Sequence, residues 1–438
     1  MTDETLLGIP APVATALLDE VERGADETLA FLRKLISFRT ENPKLVPIEP
    51  GAEAECQAFI AERLQPLGLE LDTWEVYPGR PDLVATLRGS GGGRSLILNG
   101  HVDVVPAGDP ALWPHDPWAG EVHAGKVWGR GSCDMKGGIA AMAGALAAVR
   151  RAGLRLRGDL LFETVVDEET GGPGTLRTLE RGYRADAAII TEPTGGHVHP
   201  VEGGLEWLRL VVRGVAGHTA RRYLSVHAGG QGTAVNAIEK MMKLLATVQE
   251  LERHWGVHKV HALMPSGITT INIGVVLGGT GGGQAGVPNL VNSPSTFPDY
   301  CSAQLSLKYL PSERPEQVKA EFEEYIRRVA QTDPWLREHP PEIEWGLAGV
   351  SFPPVNTPLD HPLVHTLAQA HRHVVGPASY SGFVAVTDLA RFAAYDIPGC
   401  LYGPGSADQA HTSAEFVPVD EVIAVAKVLA LTIASWCG

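Results

Sequence analysis

The chain has 438 residues, of which 44% are hydrophobic and 20% charged. This length and composition suit two or three globular domains, so collagen-like, coiled-coil and wholly disordered structures are excluded. The formal net charge is −15, and a chain this acidic is a poor partner for a phosphate backbone. We therefore expect no nucleic-acid partner.

The helix and strand patterns of the first half alternate along the chain. Helical periodicity is found at 17–37 (with a break at Gly24), 53–65 and 137–151. Strand-like runs are found at 71–77, 82–88, 95–99, 159–166 and 187–191. Strands that alternate with helices predict an α/β domain with a mostly parallel sheet, whose functional groups lie at the carboxyl ends of its strands.

The pattern changes after about residue 200. The predicted order there is strand 205–215, helix 235–255, strands 268–277 and 302–309, helix 315–330 and strand 342–345. This is the β-α-β-β-α-β order of ferredoxin-like domains. The α/β pattern then returns with elements at 362–374, 389–394, 399–402 and 419–436. We predict an α/β catalytic domain in two parts, 1–198 and 352–438, with a smaller α+β domain inserted at 199–351.

Cysteine usage and the chain termini predict the compartment. The five cysteines are widely spaced, without a Cys-x-x-Cys pair, which favours reduced thiols over a disulfide framework or a thiolate zinc site. The N-terminal sequence lacks the basic and apolar segments of a signal peptide. The most apolar run, 137–149, is shorter than the roughly 20 residues that span a bilayer. We expect a cytoplasmic protein without membrane contact.

Imidazoles and carboxylates follow several of the predicted strands. In chain order the segments are His101-Val102-Asp103, Asp134-Met135-Lys136, Glu168-Glu169, Thr191-Glu192-Pro193 and His411-Thr412. Nitrogen and oxygen ligands without thiolates suit zinc, cobalt or manganese at a hydrolytic site. Two histidines and several acids can hold two metals if one carboxylate bridges them.

Spacing suggests roles for some of these residues. His101 and Asp103 lie two apart, so on an extended strand they share a face and Asp103 can accept a hydrogen bond from the ring. One glutamate of the pair 168–169 can bind metal while the other acts as a base. Each segment alone has a simpler explanation: Asp134 precedes a helix and can be its N-cap. The ordered set, rather than any one segment, favours a metal centre.

This ordered set resembles the zinc-dependent peptidase and deacylase family of acetylornithine deacetylase, succinyl-diaminopimelate desuccinylase, aminoacylase and the glutamate carboxypeptidases. The resemblance covers nearly the whole chain and implies a pair of divalent metal ions, with zinc expected and cobalt or manganese as alternatives. The implied ligands of one metal are His101, Asp134 and Glu192. Those of the other are Asp134, Glu169 and His411, with Asp134 as the bridge.

The resemblance also implies roles outside the metal shell. Glu168 would be the general base and Asp103 would orient His101. The inserted domain would be a lid through which a homodimer forms, and its segment Gly214-Val-Ala-Gly-His218 resembles one whose histidine stabilises the oxyanion. Asn236, in an Asn-Ala-Ile match, is a candidate substrate contact.

The chain departs from the family pattern at two places in the inserted domain. The segment 220–235 is longer than expected and contains Arg221, Arg222, Tyr223 and His227. It either reshapes the substrate pocket, with Arg221 as a contact, or is an ordinary surface insertion. Lys308 stands where the family has an arginine that grips an α-carboxylate, and a lysine lacks the two-pronged donor of a guanidinium. Lys308 is either a point charge for the substrate or a solvated strand residue.

The run Gly278–Gly283 lacks the ending of a phosphate loop, so we predict a flexible lid loop there.

These observations predict a metal-dependent amidohydrolase of a small substrate, either an N-acyl amino acid deacylase or a dipeptidase or carboxypeptidase. Lys308 motivates an alternative on the same site, which is deamination or deformylation of a small aromatic compound. A third possibility is a binding protein that has lost its metals. The presence of all the implied ligands and of Glu168 disfavours it.

Overall fold

The computed structural model describes residues 5–221, 234–290 and 294–438. The chain forms two compact units. The first unit consists of Met1–Val201, Val355–Phe383 and Thr387–Gly438. The second unit consists of Glu202–Pro354 and Val384–Val386.

A large mixed β-sheet forms the centre of the first unit. In spatial order its strands are Val355–Asn356, Val198–Glu202, Gly399–Leu401, Ala188–Ile190, Leu96–His101, Leu160–Val165, Arg80–Leu87 and Glu70–Tyr77, and Tyr380–Phe383 also pairs with Val198–Glu202. The four strands from Gly399–Leu401 to Leu160–Val165 are parallel. The strand pairs that flank them are antiparallel.

The prediction of a mostly parallel sheet is therefore wrong for the outer strands. Glu70–Tyr77 and Arg80–Leu87 are separated by a short turn and pair with each other. A tight hairpin can join only antiparallel strands, whereas parallel neighbours need a long crossover.

Helices cover the sheet of the first unit. They are Ala11–Arg23, Ala25–Ser37, Ala52–Leu64, Lys136–Arg151, Pro173–Glu180, Pro362–Val374, Leu389–Ala393 and Val419–Cys437. The Ala-rich helix Lys136–Arg151 is buried along most of its length and contacts Ala25–Ser37 and Val419–Cys437. The strand Leu96–His101 is buried at every position, as expected of a parallel strand covered on both faces. Across the described ranges, no helix is long and apolar enough to cross a bilayer.

A small antiparallel sheet connects two remote parts of the first unit. It consists of Glu121–His123, Lys126–Trp128 and Phe416–Pro418. Asp134 follows the second of these strands closely in the chain and His411 precedes the third. The sheet therefore holds the segments of these two residues next to each other.

The second unit has a sheet of antiparallel strands. In spatial order they are Pro288–Leu290, Ile271–Gly282, Tyr300–Tyr309, Gly204–Arg213 and Glu342–Trp345, and Ser351–Phe352 also pairs with Gly204–Arg213. The helices of this unit are Ala237–His258, Pro315–Gln331 and Pro334–Glu338. Its core lies between the two longer helices and the sheet, with Leu208, Leu244, Trp255 and Phe322 among the buried side chains.

The glycine-rich segment of the second unit is not the loop that the sequence suggested. Gly278 to Gly282 belong to the strand Ile271–Gly282, with Gly278 opposite Cys301 and Gly282 opposite Pro288. A side chain at Gly279 would place its Cβ 2.1 Å from the carbonyl oxygen of Leu290. The run is glycine-rich where neighbouring backbones approach closely, rather than where the chain is irregular.

Candidate metal centre

Adjacent parallel strands place most of the implied metal ligands at one edge of the central sheet. His101 is the last residue of Leu96–His101 and is 1% exposed. Glu192 follows Ala188–Ile190, and Glu168 and Glu169 follow Leu160–Val165. Because carboxyl ends of neighbouring parallel strands meet at the same edge, residues distant in sequence converge there.

His101 lies at the centre of this group. Its Nε2 is 3.1 Å from Asp134 Oδ1, 3.8 Å from Glu192 Oε1 and 4.0 Å from Glu168 Oε2. Asp134 does not cap the helix that follows it, because the N-cap residue is Met135 and no side chain accepts a hydrogen bond there. The structure thus groups Asp134 with the histidines.

His411 approaches the same group from the other side of Asp134. Its Nε2 is 3.4 Å from Asp134 Oδ2 and 3.2 Å from Glu169 Oε2. Asp134 therefore directs one carboxylate oxygen at each histidine, as a bridging ligand would. Ligand atoms of His101, Asp134 and Glu169 all lie within 4.8 Å of one another. The His411 side chain is 55% exposed while the other residues are largely buried, so the group opens on one side.

Asp103 orients His101 in a different way from the one predicted. His101 Nδ1 lies 2.9 Å from the main-chain carbonyl oxygen of Asp103 but 3.7 Å from its carboxylate. The strand ends at His101, so the two side chains no longer share a strand face. In the neutral ring, an Nδ1–H group that donates a hydrogen bond to that carbonyl leaves Nε2 without a hydrogen. This is the tautomer in which Nε2 can bind a metal. The carboxylate instead accepts the backbone N–H groups of Glu168 (3.1 Å) and Glu169 (3.3 Å).

The electrostatics of the group suit a bound cation. Burial, with repulsion from neighbouring carboxylates, raises the pKa of Glu168, Glu192 and Glu169. Burial also opposes ionisation of Asp134, but in the metal-free protein the protonated rings of the two histidines donate hydrogen bonds to it, outweigh burial and lower its pKa. Imidazole nitrogens and carboxylate oxygens in this proportion are the ligands of hydrolytic zinc, cobalt and manganese sites. The residues present therefore fit divalent metal ions.

Comparison with known proteins places this chain in a family. The sequence signature of peptidase family M20/M25/M40 matches residues 97–435, which is most of the chain. The chain belongs to this family. Family members hydrolyse amide bonds with bound metal, so this M20 protein is a metal-dependent hydrolase of C–N bonds.

Two full-length relatives carry the same name, N-formyl-4-amino-5-aminomethyl-2-methylpyrimidine deformylase. The one from Halalkalibacterium halodurans is 36% identical, over 97% of this chain and 98% of its own length. The one from Bacillus subtilis is 34% identical, over 97% of each chain. Among solved structures, aminopeptidase PepT from Bacillus cereus matches 94% of this chain and 99% of its own, with a TM-score of 0.72 and 18% identity. At that identity the structural likeness concerns the fold alone.

Glu415 supports the candidate metal centre, and the sequence motifs do not identify it as a site residue. It is fully buried, and its Oε1 accepts the backbone N–H groups of Cys133 (2.9 Å) and Asp134 (3.1 Å). Its other oxygen pairs with Arg130 at 2.5 Å. Glu415 thus fixes the main chain that carries Asp134. Its place four residues after His411 was visible in the sequence, but its pairing with Arg130, 285 residues away, was not.

Replacing Arg130 by Met is expected to lower the free energy of unfolding by about 3–5 kcal/mol, since it leaves a buried carboxylate without its cation. Urea unfolding of the metal-free protein at pH 8 measures the change. Arg88→Met is the control, because Arg88 forms its ion pairs at the surface and such pairs contribute little. Equal shifts in the two variants would contradict the role given to Arg130.

The remaining predicted site residues lie in the second unit. His218 Nδ1 accepts the backbone N–H of Ala220 at 3.1 Å. This sets the tautomer that carries its hydrogen on Nε2, the form an oxyanion donor needs. Asn236 is the N-cap of the helix Ala237–His258, and its Oδ1 accepts two backbone N–H groups of the first turn. The predicted substrate contact of Asn236 is not needed to explain its presence.

The last two predicted site residues are Lys308 and Arg221. Lys308 lies in Tyr300–Tyr309, and its Nζ donates to the main-chain carbonyl of Val384. Burial lowers the pKa of Lys308. Arg221 ends the short helix Thr219–Arg221. Its side chain, together with Arg222, Tyr223 and His227, lies outside the described residues, so its predicted role stays a prediction.

Proposed function

We propose that this chain removes the formyl group from an N-formyl aminomethyl derivative of a small aromatic ring such as an aminopyrimidine. The observation that carries the proposal is the pair of full-length relatives that share one deformylase name, at 36% and 34% identity. This is the alternative that Lys308 suggested from the sequence, and it takes precedence over hydrolysis of N-acyl amino acids or peptides.

Two divalent metal ions, zinc in the first instance, would be held as the family resemblance implies. One would be bound by His101, Asp134 and Glu192, and the other by Asp134, Glu169 and His411. When bound, such ions polarise a carbonyl oxygen and make water acidic enough to react near neutral pH. The directions of the Asp134 oxygens, one toward each histidine, support its place between the ions.

Glu168 would move the proton. The attacking water adds its oxygen to the formyl carbon and gives a proton to the Glu168 carboxylate. Glu168 then returns that proton to the nitrogen as the C–N bond breaks, which yields a free primary amine and formic acid, and the acid loses its proton to solvent to become formate. Burial, with the neighbouring Glu192, Asp388 and Glu169 carboxylates, raises the pKa of Glu168 despite the nearby His101. A base of raised pKa is also a competent acid in the second step.

Lys308 supports the proposed substrate class. A guanidinium could grip an α-carboxylate through two parallel hydrogen bonds, and Lys308 cannot. Its ammonium already donates to Val384, which supports a substrate without an α-carboxylate. His218, with its hydrogen on Nε2, would donate to the oxygen that gains negative charge on the formyl group.

The second unit would act as the lid and dimer surface of a homodimer, with the domain limits predicted at 199 and 351. Its antiparallel sheet with two packed helices supports the ferredoxin-like assignment.

All five cysteines are free and buried. That none of the five is paired in a disulfide supports the proposed cytoplasmic location.

The proposal is tested by measuring formate and amine release from metal-loaded enzyme. The substrates are an N-formyl aminomethylpyrimidine, its N-acetyl analogue and an N-acetyl amino acid. We expect kcat/KM for the formyl compound to exceed that for the amino acid by at least about 100-fold, which corresponds to about 2.7 kcal/mol of transition-state discrimination. Preferential hydrolysis of the amino acid would instead support the deacylase reading.

A further inference from the structure

Asn42 contacts residues that neighbour the candidate metal ligands. Neither the sequence motifs nor the proposed reaction gives it a role. It is fully buried and lies beyond the helix Ala25–Ser37. Its backbone N–H donates to the carbonyl oxygen of Val104 at 2.9 Å. This bond fixes the main chain of Asn42 beside the segment that follows His101.

The Asn42 side chain uses both ends of its amide. Its Oδ1 accepts the backbone N–H of Lys44 at 3.0 Å. Its Nδ2 donates to Asp103 Oδ2 at 2.8 Å and to Asp167 Oδ1 at 3.0 Å. These partners determine which end of the amide is oxygen, because only the NH₂ group can donate to two carboxylates. The two donated bonds also hold together a pair of carboxylates that would otherwise repel each other.

Both carboxylates hold the turn that carries Glu168 and Glu169. Asp103 accepts the backbone N–H groups of these two glutamates. Asp167 immediately precedes them and has a left-handed backbone with φ of 71°. This conformation is uncommon for residues other than glycine, so it needs support from its surroundings.

The support for Asp167 continues into a buried ion pair. Arg80 Nη1 lies 2.8 Å from Asp167 Oδ1, and Arg80 Nη2 lies 2.9 Å from Glu53 Oε1. Thr170 also donates to Asp167 at 2.8 Å, and Lys44 pairs with it from the more exposed side. The turn is therefore held in place by hydrogen bonds to the carboxylates of Asp103 and Asp167. The Asn42 amide joins these two carboxylates.

We infer that Asn42 is a positioning residue of the metal centre, which sets the places of Glu168 and Glu169 by joining the Asp103 and Asp167 carboxylates. The inference rests on the proposed roles of Glu168 as base and Glu169 as ligand. Residues that hydrogen-bond metal ligands without binding the metal themselves commonly contribute about 10–100-fold to metal affinity or activity. The effect of Asn42 passes through hydrogen bonds rather than through its own charge, because its side chain is neutral.

Two substitutions separate positioning from charge. Asn42→Leu removes both donors and adds no charge, whereas Asn42→Asp removes both donors and adds a negative charge. If Asn42 acts by position, both variants should bind Zn²⁺ about 10–100-fold more weakly in competition with a chelator. In the metal-saturated state both should lose kcat by about 10-fold or more, with KM changed less than about threefold. Asn356→Asp, at an exposed position of Val355–Asn356, is the matched control and should behave as the unmodified enzyme.

The inference is overturned if the two variants change Zn²⁺ affinity in opposite directions, which would indicate a Coulombic effect. It is also overturned if only the melting temperature of the metal-free protein falls while Zn²⁺ affinity and kcat are kept. Should Asn42→Leu fail to fold, Asn42→Ser is measured against the same criteria, because its hydroxyl cannot reach both carboxylates. Zn²⁺ affinity is measured without substrate, so failure of the proposed deformylase activity would leave this test intact.

Discussion

Replacing Glu168 by Gln is expected to lower kcat by about 10²–10⁴-fold, the usual contribution of a general acid–base group. The amide has the shape of the carboxylate but cannot take a proton from water or return it to the leaving nitrogen. Glu168 is not among the proposed metal ligands, so the variant should retain two metals per chain. Steady-state kinetics and elemental analysis of the same preparation measure both quantities.

Glu180→Gln is the matched control for this substitution. Glu180 lies at the end of the helix Pro173–Glu180 and pairs with Arg177 at the surface, so its loss should leave kcat unchanged. Normal turnover in Glu168→Gln would reject Glu168 as the base. Loss of metal together with turnover would show instead that Glu168 is a ligand.

Replacing Asp134 by Asn is expected to leave less than one tightly bound metal per chain and to abolish turnover. Among the described residues, Asp134 is the carboxylate that lies within 4.0 Å of both His101 and His411. An amide offers one oxygen and no negative charge, so it cannot bridge two cations. The loss should exceed that of any single outer ligand because both metal sites share this residue.

Thermal unfolding with and without added Zn²⁺ checks this result independently of activity. A ligand present at 1,000 times its dissociation constant stabilises a folded protein by about 4.1 kcal/mol. The unmodified protein should therefore melt at a higher temperature with Zn²⁺, and Asp134→Asn should respond weakly. Two bound metals and a full thermal response in the variant would contradict a bridging role.

The convergence of several candidate ligands could be anticipated from the sequence because these residues closely follow apolar strands. His101 ends a strand of six buried residues, and the segments of Glu168 and Glu192 follow two strands of the same kind. The parallel strands that place them together are the part of the sheet that alternation with helices predicts. The hairpin Glu70–Tyr77 with Arg80–Leu87 was misjudged, because single-sequence patterns give the strands but not the direction of pairing.

The residues that support the candidate ligands through hydrogen bonds could not be predicted from the sequence. Asn42 lies 61 residues from Asp103 and 125 from Asp167, and an isolated asparagine before a proline is an ordinary turn signal. The carboxylate of Asp103 was assigned to the wrong partner because the prediction extended the strand past His101. Such contacts depend on where the chain leaves its strands, which periodicity does not reveal.

The order of the proposed ligands along the chain has a consequence for biosynthesis. His101, Asp134 and Glu192 are all translated before the second unit, which begins at Glu202. His411 is translated only after that unit, shortly before Phe416–Pro418 is made and can join its small sheet. Glu415, which fixes the main chain of Asp134, and Gly399–Leu401, which pairs with the strand before Glu192, are also translated after the second unit. Neither metal site is therefore expected to form until this last part of the chain has left the ribosome.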